Sequence, residues 1–380
     1  MRWSEVGDLS RLVQLPVVTK SMLCADYPER TTRNTGQSTY EASSSGSSTG
    51  TSFPVQEDAE TAGHYRASFL LALEWAGWRL GERHLQTGIT VSRSWDRRLK
   101  DIFFRCHYVS AWQVDDAHLD RTLDALEQRR IKHLWGYPSR LYRLAKRAIQ
   151  RGWNLPLKTL VTWGDALYPH YRATIERAFA APVLDTYGCG EGFQVAAQCG
   201  FAPHYHVHSL DVIVEFLDDH GKPVSEGELG DVVVTRLHPG PMPLVRYRVG
   251  DIARSGGQRT CGCGRGFEIL ETVEGRATDV VTTPSGHRLM PCFFTDLFAQ
   301  FPEVDHFQVV QEELGAILVR VVPARPGAID NVVERNIAAA FRSCGPADLT
   351  LCFERVVEIP LAVSGKPRLF INTMSPPTLE

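Results

Sequence analysis

Between about residues 64 and 183, the pattern of apolar and polar positions alternates between helical and strand periods. HLDRTLDALEQRR places Leu119, Leu123 and Leu126 on one helical face. RLYRLAKRAIQRG, which ends at Gly152, and YPHYRATIERAFA show the same helical period. LKTLVTWGD and PVLDTYGCGEG read as short buried strands that run into turns. Strands and helices alternating at this spacing predict a parallel α/β sheet, whose ligands bind beyond the carboxyl ends of the strands.

After about residue 205 the pattern becomes β-rich. HVHSLDVIVEFLDDHGKP, ELGDVVVTRL and MPLVRYRVGDIAR are strand-like segments separated by turn residues, which predicts an antiparallel or barrel-like subdomain over about 205–275. Beyond GRATD, the pattern predicts a helix, two strands, a helix and a strand, at about 291–300, 304–311, 316–322, 329–343 and 349–356. The predicted fold is therefore α/β, with a large N-terminal α/β domain (1–275) and a small C-terminal α+β domain (276–380).

Composition narrows the class of protein. The chain has 380 residues, of which 43% are hydrophobic, and a formal net charge of −3. This slight acidity gives no reason to expect nucleic acid or an anionic membrane as a partner. No apolar run approaches the roughly 18–20 residues of a membrane span, and the N-terminus lacks the apolar centre of a signal peptide. We therefore expect a cytoplasmic protein, in which nine cysteines favour free thiols or a metal site over disulfides.

A serine-rich run, ASSSGSSTGTSFP at residues 42–54, has two interpretations. Such runs are commonly flexible linkers. Only about forty residues precede this one, however, too few for an independent core. The second interpretation is a phosphate-binding loop, because small residues let the backbone approach an anion and hydroxyls donate to it. The run lacks the lysine of a P-loop, so it does not by itself distinguish a flexible linker from a phosphate-binding loop.

Further polar motifs follow at strand ends and turns. DTYGCGEG places Glu191 on a glycine-rich turn after a strand, where a carboxylate suits Mg²⁺. RYRVGDIAR places Asp251 directly after a glycine, and GRATD contains Arg276 and Asp279. Lysine is scarce in the chain, and Lys366 in SGKPR is the only lysine after Lys222. A lysine retained between glycine and proline indicates a need for a compact, mobile ammonium group.

These segments in this order resemble the adenylate-forming (AMP-binding) superfamily, and within it the phenylacetate–CoA ligase-like branch. The resemblance runs from LPVVTK near residue 15 to SGKPR. The segments that carry it are SSGSSTG, LWGYPSRLYRLA, DTYGCGEG, SEGELGDVVVTRL, PMPLVRYRVGD, CGCGR, EGRATD and SGKPR. It implies an acid–thiol ligase that uses ATP and Mg²⁺ to convert a carboxylic acid to an acyl-adenylate. The acyl group then passes to a thiol, most often that of coenzyme A.

The resemblance also implies a role for each matching residue. The phosphates of ATP would be held by Ser47, Ser48, Thr49 and Gly50. Tyr187 and Gly188 would lie at the adenine, Glu191 would bind Mg²⁺, and Asp251 would accept hydrogen bonds from the ribose with Arg276 nearby. The C-terminal domain would act as a lid that carries the catalytic Lys366 and hinges near Asp279. Trp112, Trp135, Tyr137 and Trp163 lie in segments that form the acyl pocket in relatives, which favours an aromatic acid.

Three positions depart from the family pattern. The serine-rich loop has one additional serine, Gly190 replaces a phosphate-binding Thr or Ser, and Thr278 replaces an acidic residue. A second hypothesis is therefore a nucleotide-binding partner protein that does not catalyse. Within the enzyme hypothesis, a carrier-protein thiol or an amine remains an alternative acceptor to coenzyme A, and a homodimer an alternative to a monomer.

The cysteines form a separate constellation. Cys261 and Cys263 lie in a tight CGC turn, and Cys199 precedes a histidine-rich segment that contains His206. A Cys-x-Cys pair with a distant Cys and His can build a closed tetrahedral zinc site. Some relatives of this branch show a similar pattern. The alternative is free cysteines in a β-turn beside surface histidines. A zinc-like nucleic-acid module is unsupported, because the chain lacks a basic aromatic patch.

Overall fold

A computed structural model of the chain describes residues 9–43, 54–88, 93–111, 115–238, 240–360 and 368–374. Its contacts divide the chain into two compact units. The first comprises Met1–Glu82, Thr159–Gly164 and Leu184–Val273, and the second comprises Arg83–Lys158, Asp165–Val183 and Glu274–Glu380. Within the described residues, every helix is too short or too polar to cross a membrane.

The helices are α1 (Lys20–Asp26), α2 (Ala59–Trp75), α3 (Trp95–Phe103), α4 (Asp116–Gln128), α5 (Pro138–Gln150), α6 (Pro169–Phe179), α7 (Pro291–Ala299) and α8 (Asn331–Cys344), with 3₁₀ turns at Leu9–Gln14 and Ala277–Asp279. The strands are β1 (Thr39–Ser43), β2 (Pro54–Asp58), β3 (His84–Gly88), β4 (Cys106–Ser110), β5 (His133–Gly136), β6 (Thr159–Thr162), β7 (Val183–Cys189), β8 (Phe193–Gln198), β9 (Tyr205–Val207), β10 (Val212–Leu217), β11 (Leu229–Arg236), β12 (Tyr247–Gly257), β13 (Ile269–Arg276), β14 (Val281–Thr282), β15 (Arg288–Leu289), β16 (Val304–Glu313), β17 (Ala316–Pro323), β18 (Thr350–Arg355) and β19 (Phe370–Asn372).

The first unit is built on strands in the order β10-β11-β12-β13-β9-β8-β7-β6. The pairs β7–β8, β8–β9, β9–β13, β10–β11 and β11–β12 are antiparallel. The first four residues of strand β10 alternate between buried and half-buried, whereas all six residues of β8 are buried. Helix α2 packs on β8 and is capped by Asp58, whose carboxylate accepts a hydrogen bond from the Thr61 N–H at 2.9 Å.

The second unit contains a parallel group of three strands, a four-stranded sheet and the short antiparallel pair β14–β15. Strands β3, β4 and β5 are parallel, with His84 opposite both Cys106 and His133. Leu119, Leu123 and Leu126 of α4 are buried, which confirms the predicted apolar face. The four-stranded sheet has the order β18-β17-β16-β19. Its apolar cluster with α7 and α8 includes Phe294, Phe298, Phe307, Ile337 and Phe341.

The predicted α/β class and element order are confirmed. Helices and strands expected beyond residue 290 are present within a few residues of their predicted bounds. The β-rich segment after residue 205 is antiparallel, as expected. The domain boundary at 275/276 stays a prediction. The division by contacts groups residues 83–158 and 165–183 with the C-terminal segment.

Candidate functional site

The serine-rich run connects two paired strands of one unit. Strands β1 and β2 are antiparallel, with Thr39 opposite Asp58 and Ser43 opposite Pro54. Both strands belong to the first unit, so the run does not join one unit to the other. The predicted phosphate-binding residues, Ser47, Ser48, Thr49 and Gly50, lie outside the described residues, as do the catalytic candidate Lys366 and the pocket candidate Trp112.

Glu191 is held in the tight turn between β7 and β8. Its side chain is buried, and the Tyr247 hydroxyl donates to Glu191 Oε1 at 3.0 Å. The Arg236 Nη2 donates to the backbone oxygen of Glu191 at 2.7 Å, and its guanidinium lies 4.7 Å from the ring centroid of Phe193. Gly192 has a φ of +83°, which favours glycine at the end of the turn. The turn therefore fixes both the backbone and the carboxylate of Glu191.

Tyr187 and Asp251 form a second buried pair. The Tyr187 hydroxyl donates to Asp251 Oδ2 at 2.8 Å, joining β7 to β12. Asp251 follows Gly250, whose φ of +88° allows the sharp change of direction before the carboxylate. The structure thus brings together the residues predicted to contact the adenine and the ribose.

Burial raises the pKa of the Cys189 thiol well above its usual value, and the carboxylates of Glu191 and Asp251 raise it further. Both predicted carboxylates therefore act on one half-buried thiol at the end of β7. A cation placed among them would be favoured for the same electrostatic reason.

A third hydroxyl–carboxylate pair, not singled out from the sequence, supports β7. Tyr205 donates to Asp185 Oδ2 at 2.7 Å, and Thr162 donates to the other carboxylate oxygen. The backbone N–H of Asp185 donates to Gln198 Oε1 at 2.9 Å. The sequence does contain a signal for this pair, since Asp185 is an acidic residue inside an apolar strand. A buried carboxylate needs hydrogen-bond donors of this kind.

The four residues predicted to bind zinc are brought together. Ligand atoms of Cys199, His206, Cys261 and Cys263 lie within 4.8 Å of one another. The Cys199 and Cys261 sulfurs are 3.8 Å apart, and the Cys263 sulfur is 3.3 Å from His206 Nε2. Tetrahedral zinc with bonds of about 2.3 Å to sulfur separates two sulfurs by about 3.8 Å. The geometry of the cluster therefore fits the ion.

The protonation states of the cluster also suit a metal. Burial lowers the pKa of His206 to about 4, which leaves its imidazole neutral at pH 7. Burial raises the pKa of Cys263, but hydrogen bonds from Arg265, Cys261 and Cys199 together outweigh it and bring the pKa to about 7. A neutral imidazole and a readily formed thiolate are the forms that bind zinc. Sheet pairing fixes the histidine, since His206 lies opposite both Ala197 and Ile269.

A second cluster, His64, Asp211 and His238, was not anticipated from the sequence. Asp211 Oδ1 is 3.4 Å from His64 Nδ1 and 3.6 Å from His238 Nε2. The two rings are stacked with centroids 3.5 Å apart and planes within 8° of parallel. In this arrangement the in-plane lone pairs cannot converge on one ion at about 2.0–2.1 Å. The carboxylate is best described as shared by a stacked imidazole pair.

The remaining predicted residues belong to the second unit, except Trp163. Arg276 ends β13, and Thr278 Oγ1 donates to Asp279 Oδ1 at 3.3 Å in the 3₁₀ turn that follows. Trp135 is buried and stacks on His84 at 3.7 Å between ring centroids. Tyr137 is the N-cap residue of α5. Trp163 belongs to the first unit and meets Phe69 edge to face.

Several known proteins are similar in sequence to parts of this chain. No family model matches the sequence. Protein CapK of Staphylococcus aureus is 22% identical over 289 residues, covering 73% of this chain and 62% of that protein. The phenylacetate–coenzyme A ligase of Thermus thermophilus is 28% identical over 160 residues, covering 41% of this chain and 35% of the ligase. The chain spans less than two thirds of the length of these relatives.

Solved structures share the fold. The structure of 2-hydroxyisobutyryl-CoA ligase in the postadenylation state, in complex with R3-HIB-AMP, matches with a TM-score of 0.78 and 19% identity. The match covers 98% of this chain and 83% of that one. This likeness shows that the chain has the fold of that CoA ligase, and it agrees with the resemblance of the ordered motifs to the adenylate-forming (AMP-binding) superfamily.

Proposed function

We propose that the protein is an acid–thiol ligase, which activates a carboxylic acid with ATP and transfers the acyl group to a thiol. The observation that carries the proposal is the pair of buried carboxylates, Glu191 and Asp251, each fixed by a tyrosine hydroxyl at the end of β7. The curated relatives include phenylacetate–coenzyme A ligases, which supports coenzyme A as acceptor and an aromatic acid as substrate.

Each residue has a defined task in this proposal. Asp251 accepts hydrogen bonds from the ribose hydroxyls, and the Tyr187 ring lies against the adenine. Glu191 holds Mg²⁺, and when bound the ion neutralises charge on the phosphates. The acid and the triphosphate repel each other, so positioned cations and donors lower the barrier to attack on the α-phosphate.

The segments outside the described residues complete the proposed site. Ser47, Ser48, Thr49 and Gly50 donate to the phosphates from the large domain (1–275). The C-terminal domain (276–380) acts as a lid, with Arg276 and Asp279 at its start, and delivers Lys366 for adenylation. A charge delivered by a closing lid acts only in the closed state.

Nine cysteines without a disulfide bond support a reducing, cytoplasmic setting.

Pyrophosphate release tests the proposal. The full chain is incubated with ATP, Mg²⁺ and a panel of aryl, arylacetic and aliphatic acids, and the acid that stimulates release is then tested for product. Parallel reactions contain coenzyme A, a phosphopantetheinylated carrier protein or an amine. Thioester formed only with coenzyme A supports the proposed acceptor. ATP binding without release for any acid would favour the non-catalytic nucleotide-binding alternative.

We also propose a structural zinc ion bound by Cys199, His206, Cys261 and Cys263. These four side chains supply a complete tetrahedral set with no open position, so the ion would stabilise the loop between β12 and β13 rather than take part in the reaction. Elemental analysis of protein purified without a histidine tag tests the proposal. About one zinc per chain supports it. A metal-free protein that keeps full thermal stability in chelator would end it.

A further inference from the structure

Helix α3 carries large apolar side chains that the protein leaves exposed. Trp95, Leu99, Ile102 and Phe103 are 78%, 59%, 75% and 75% exposed. Their spacing of four, three and one residues places them on a single face of the helix. None of the nine residues of α3 is buried, although the helix contacts β4. Contiguous apolar surface of this kind marks an interaction site in a folded protein.

The remaining surface of α3 is cationic. Arg97, Arg98 and Lys100 are exposed on the helix, and exposed Arg105 follows it. The acidic Asp101 is already engaged, because Arg93 forms an ion pair with it and donates from Nε at 3.0 Å. Asp96 is the other acidic residue of the helix sequence. Arg98 and Lys100 flank the apolar face along the helix, Arg97 and Arg105 add further positive charge, and Asp96 and the paired Asp101 are the acidic side chains of the helix.

We propose that α3 docks on an anionic lipid surface. The Trp95, Leu99, Ile102 and Phe103 face would enter the boundary between headgroups and acyl chains, with the arginines and the lysine contacting anionic headgroups. Amphipathic helices with aromatic and aliphatic residues on one face and Lys or Arg on the other bind membranes in this way. A nine-residue helix is far too short to span a bilayer, so it lies in the plane of the interface.

Charge favours a lipid surface over a second copy of the chain. Two α3 helices packed face to face would bring two sets of cationic side chains together, whereas an anionic membrane complements them. The net charge of the whole chain, −3, by itself gives no reason to expect binding to an anionic membrane. Screening limits electrostatic attraction to about 10 Å at moderate salt, so the charge of the docking face matters more than that of the whole chain.

Vesicle co-sedimentation of the 380-residue chain tests the proposal. One set of vesicles is pure phosphatidylcholine, and the other contains about one third phosphatidylglycerol. We expect the wild type to bind the anionic vesicles, and the double variant Leu99→Ser/Phe103→Ser to bind about tenfold or more weakly. A matched control, Leu80→Ser/Leu210→Ser, changes two other leucines that are 68% and 71% exposed and should bind as the wild type does.

A second variant tests the charge. Arg98→Ser/Lys100→Ser keeps the apolar face and should lose most binding to anionic vesicles, and added salt should weaken the wild type likewise. The proposal is overturned if the wild type ignores anionic vesicles, if it binds neutral vesicles equally well, or if either α3 variant binds normally. It is also overturned if sedimentation equilibrium shows a wild-type dimer that Leu99→Ser/Phe103→Ser dissociates, because the face then belongs to a second copy.

Discussion

Replacing Asp251 separates its proposed role in binding ATP from its role in the fold. The carboxylate is buried and accepts a hydrogen bond from Tyr187 at 2.8 Å. If it also accepts hydrogen bonds from the ribose, Asp251→Ala removes a charged acceptor from buried hydroxyls. Such a loss is about 1.5–3 kcal/mol, which raises the Kd for ATP about 10- to 150-fold.

Two matched variants remove the structural part of this effect. Asp185→Ala deletes another buried carboxylate of the same unit, which accepts from Tyr205 at 2.7 Å. It should lower the free energy of unfolding by a similar amount while leaving the ATP affinity close to wild type. Tyr187→Phe keeps the ring for the adenine and removes the hydroxyl, so it should also cost stability of about 1.5–3 kcal/mol with little change in affinity.

Calorimetric titration with a non-hydrolysable ATP analogue and urea unfolding of each variant provide the two readouts. If Asp251 binds the ribose, Asp251→Ala should weaken ATP binding, whereas Asp185→Ala and Tyr187→Phe should lower the unfolding free energy with little change in ATP affinity. Wild-type affinity in Asp251→Ala would refute the ribose assignment. Equal losses of affinity in Asp251→Ala and Asp185→Ala would show that both carboxylates act only through the fold.

Four further predictions follow from the same contacts. Glu191→Gln keeps a group that can accept from Tyr247 but loses the charge for Mg²⁺, so pyrophosphate release should fall about a hundredfold or more; unchanged release would contradict the magnesium role. Cys263→Ser should lose zinc and lower the Tm, whereas the exposed Cys352→Ser should change neither; equal metal content in both would count against the site. Lys366→Ala should abolish most adenylation yet keep ATP binding and thioester formation from supplied acyl-adenylate; equal damage to both half-reactions would reject the lid role. Burial lowers the pKa of His170 to about 4, below its unfolded value near 6.5, so unfolding free energy should fall as pH drops from 6.5 toward 4, and His170→Gln should flatten that slope in urea titrations.

The sequence was most informative where local pattern and packing agree. The apolar spacing of Leu119, Leu123 and Leu126 predicted a buried face, and that face is buried in α4. The grouping of Cys199 and His206 with the CGC turn was also foreseen, because a strand fixes the histidine and a tight turn fixes two sulfurs. Both predictions rest on residues close in sequence or on a known ligand pattern.

Partners far apart in the chain could not be predicted in the same way. The Tyr247 hydroxyl can donate a hydrogen bond to Glu191 only because β12 and the turn after β7 meet in the folded unit. His64 and His238 stack across a long sequence separation with no spacing signal to connect them. Nor could the pattern of α3 reveal that its apolar face remains exposed. A helical period predicts that such a face exists but not what covers it.

The contacts around Glu191 bear on the loss of a hydroxyl at Gly190. Position 190 is exposed and takes no part in the hydrogen bonds that fix the carboxylate. Those bonds come from Tyr247 to the side chain and from Arg236 to the backbone, and both are intact. If position 190 faces the phosphates as the resemblance implies, Gly190 lacks a donor there, while the residue proposed to hold Mg²⁺ keeps its contacts. Pyrophosphate release by the wild type and by Gly190→Thr tests the proposed activity against the alternative of a non-catalytic nucleotide-binding protein. Restoring the hydroxyl should raise the rate or lower the ATP requirement, while no release from either protein would favour the non-catalytic alternative.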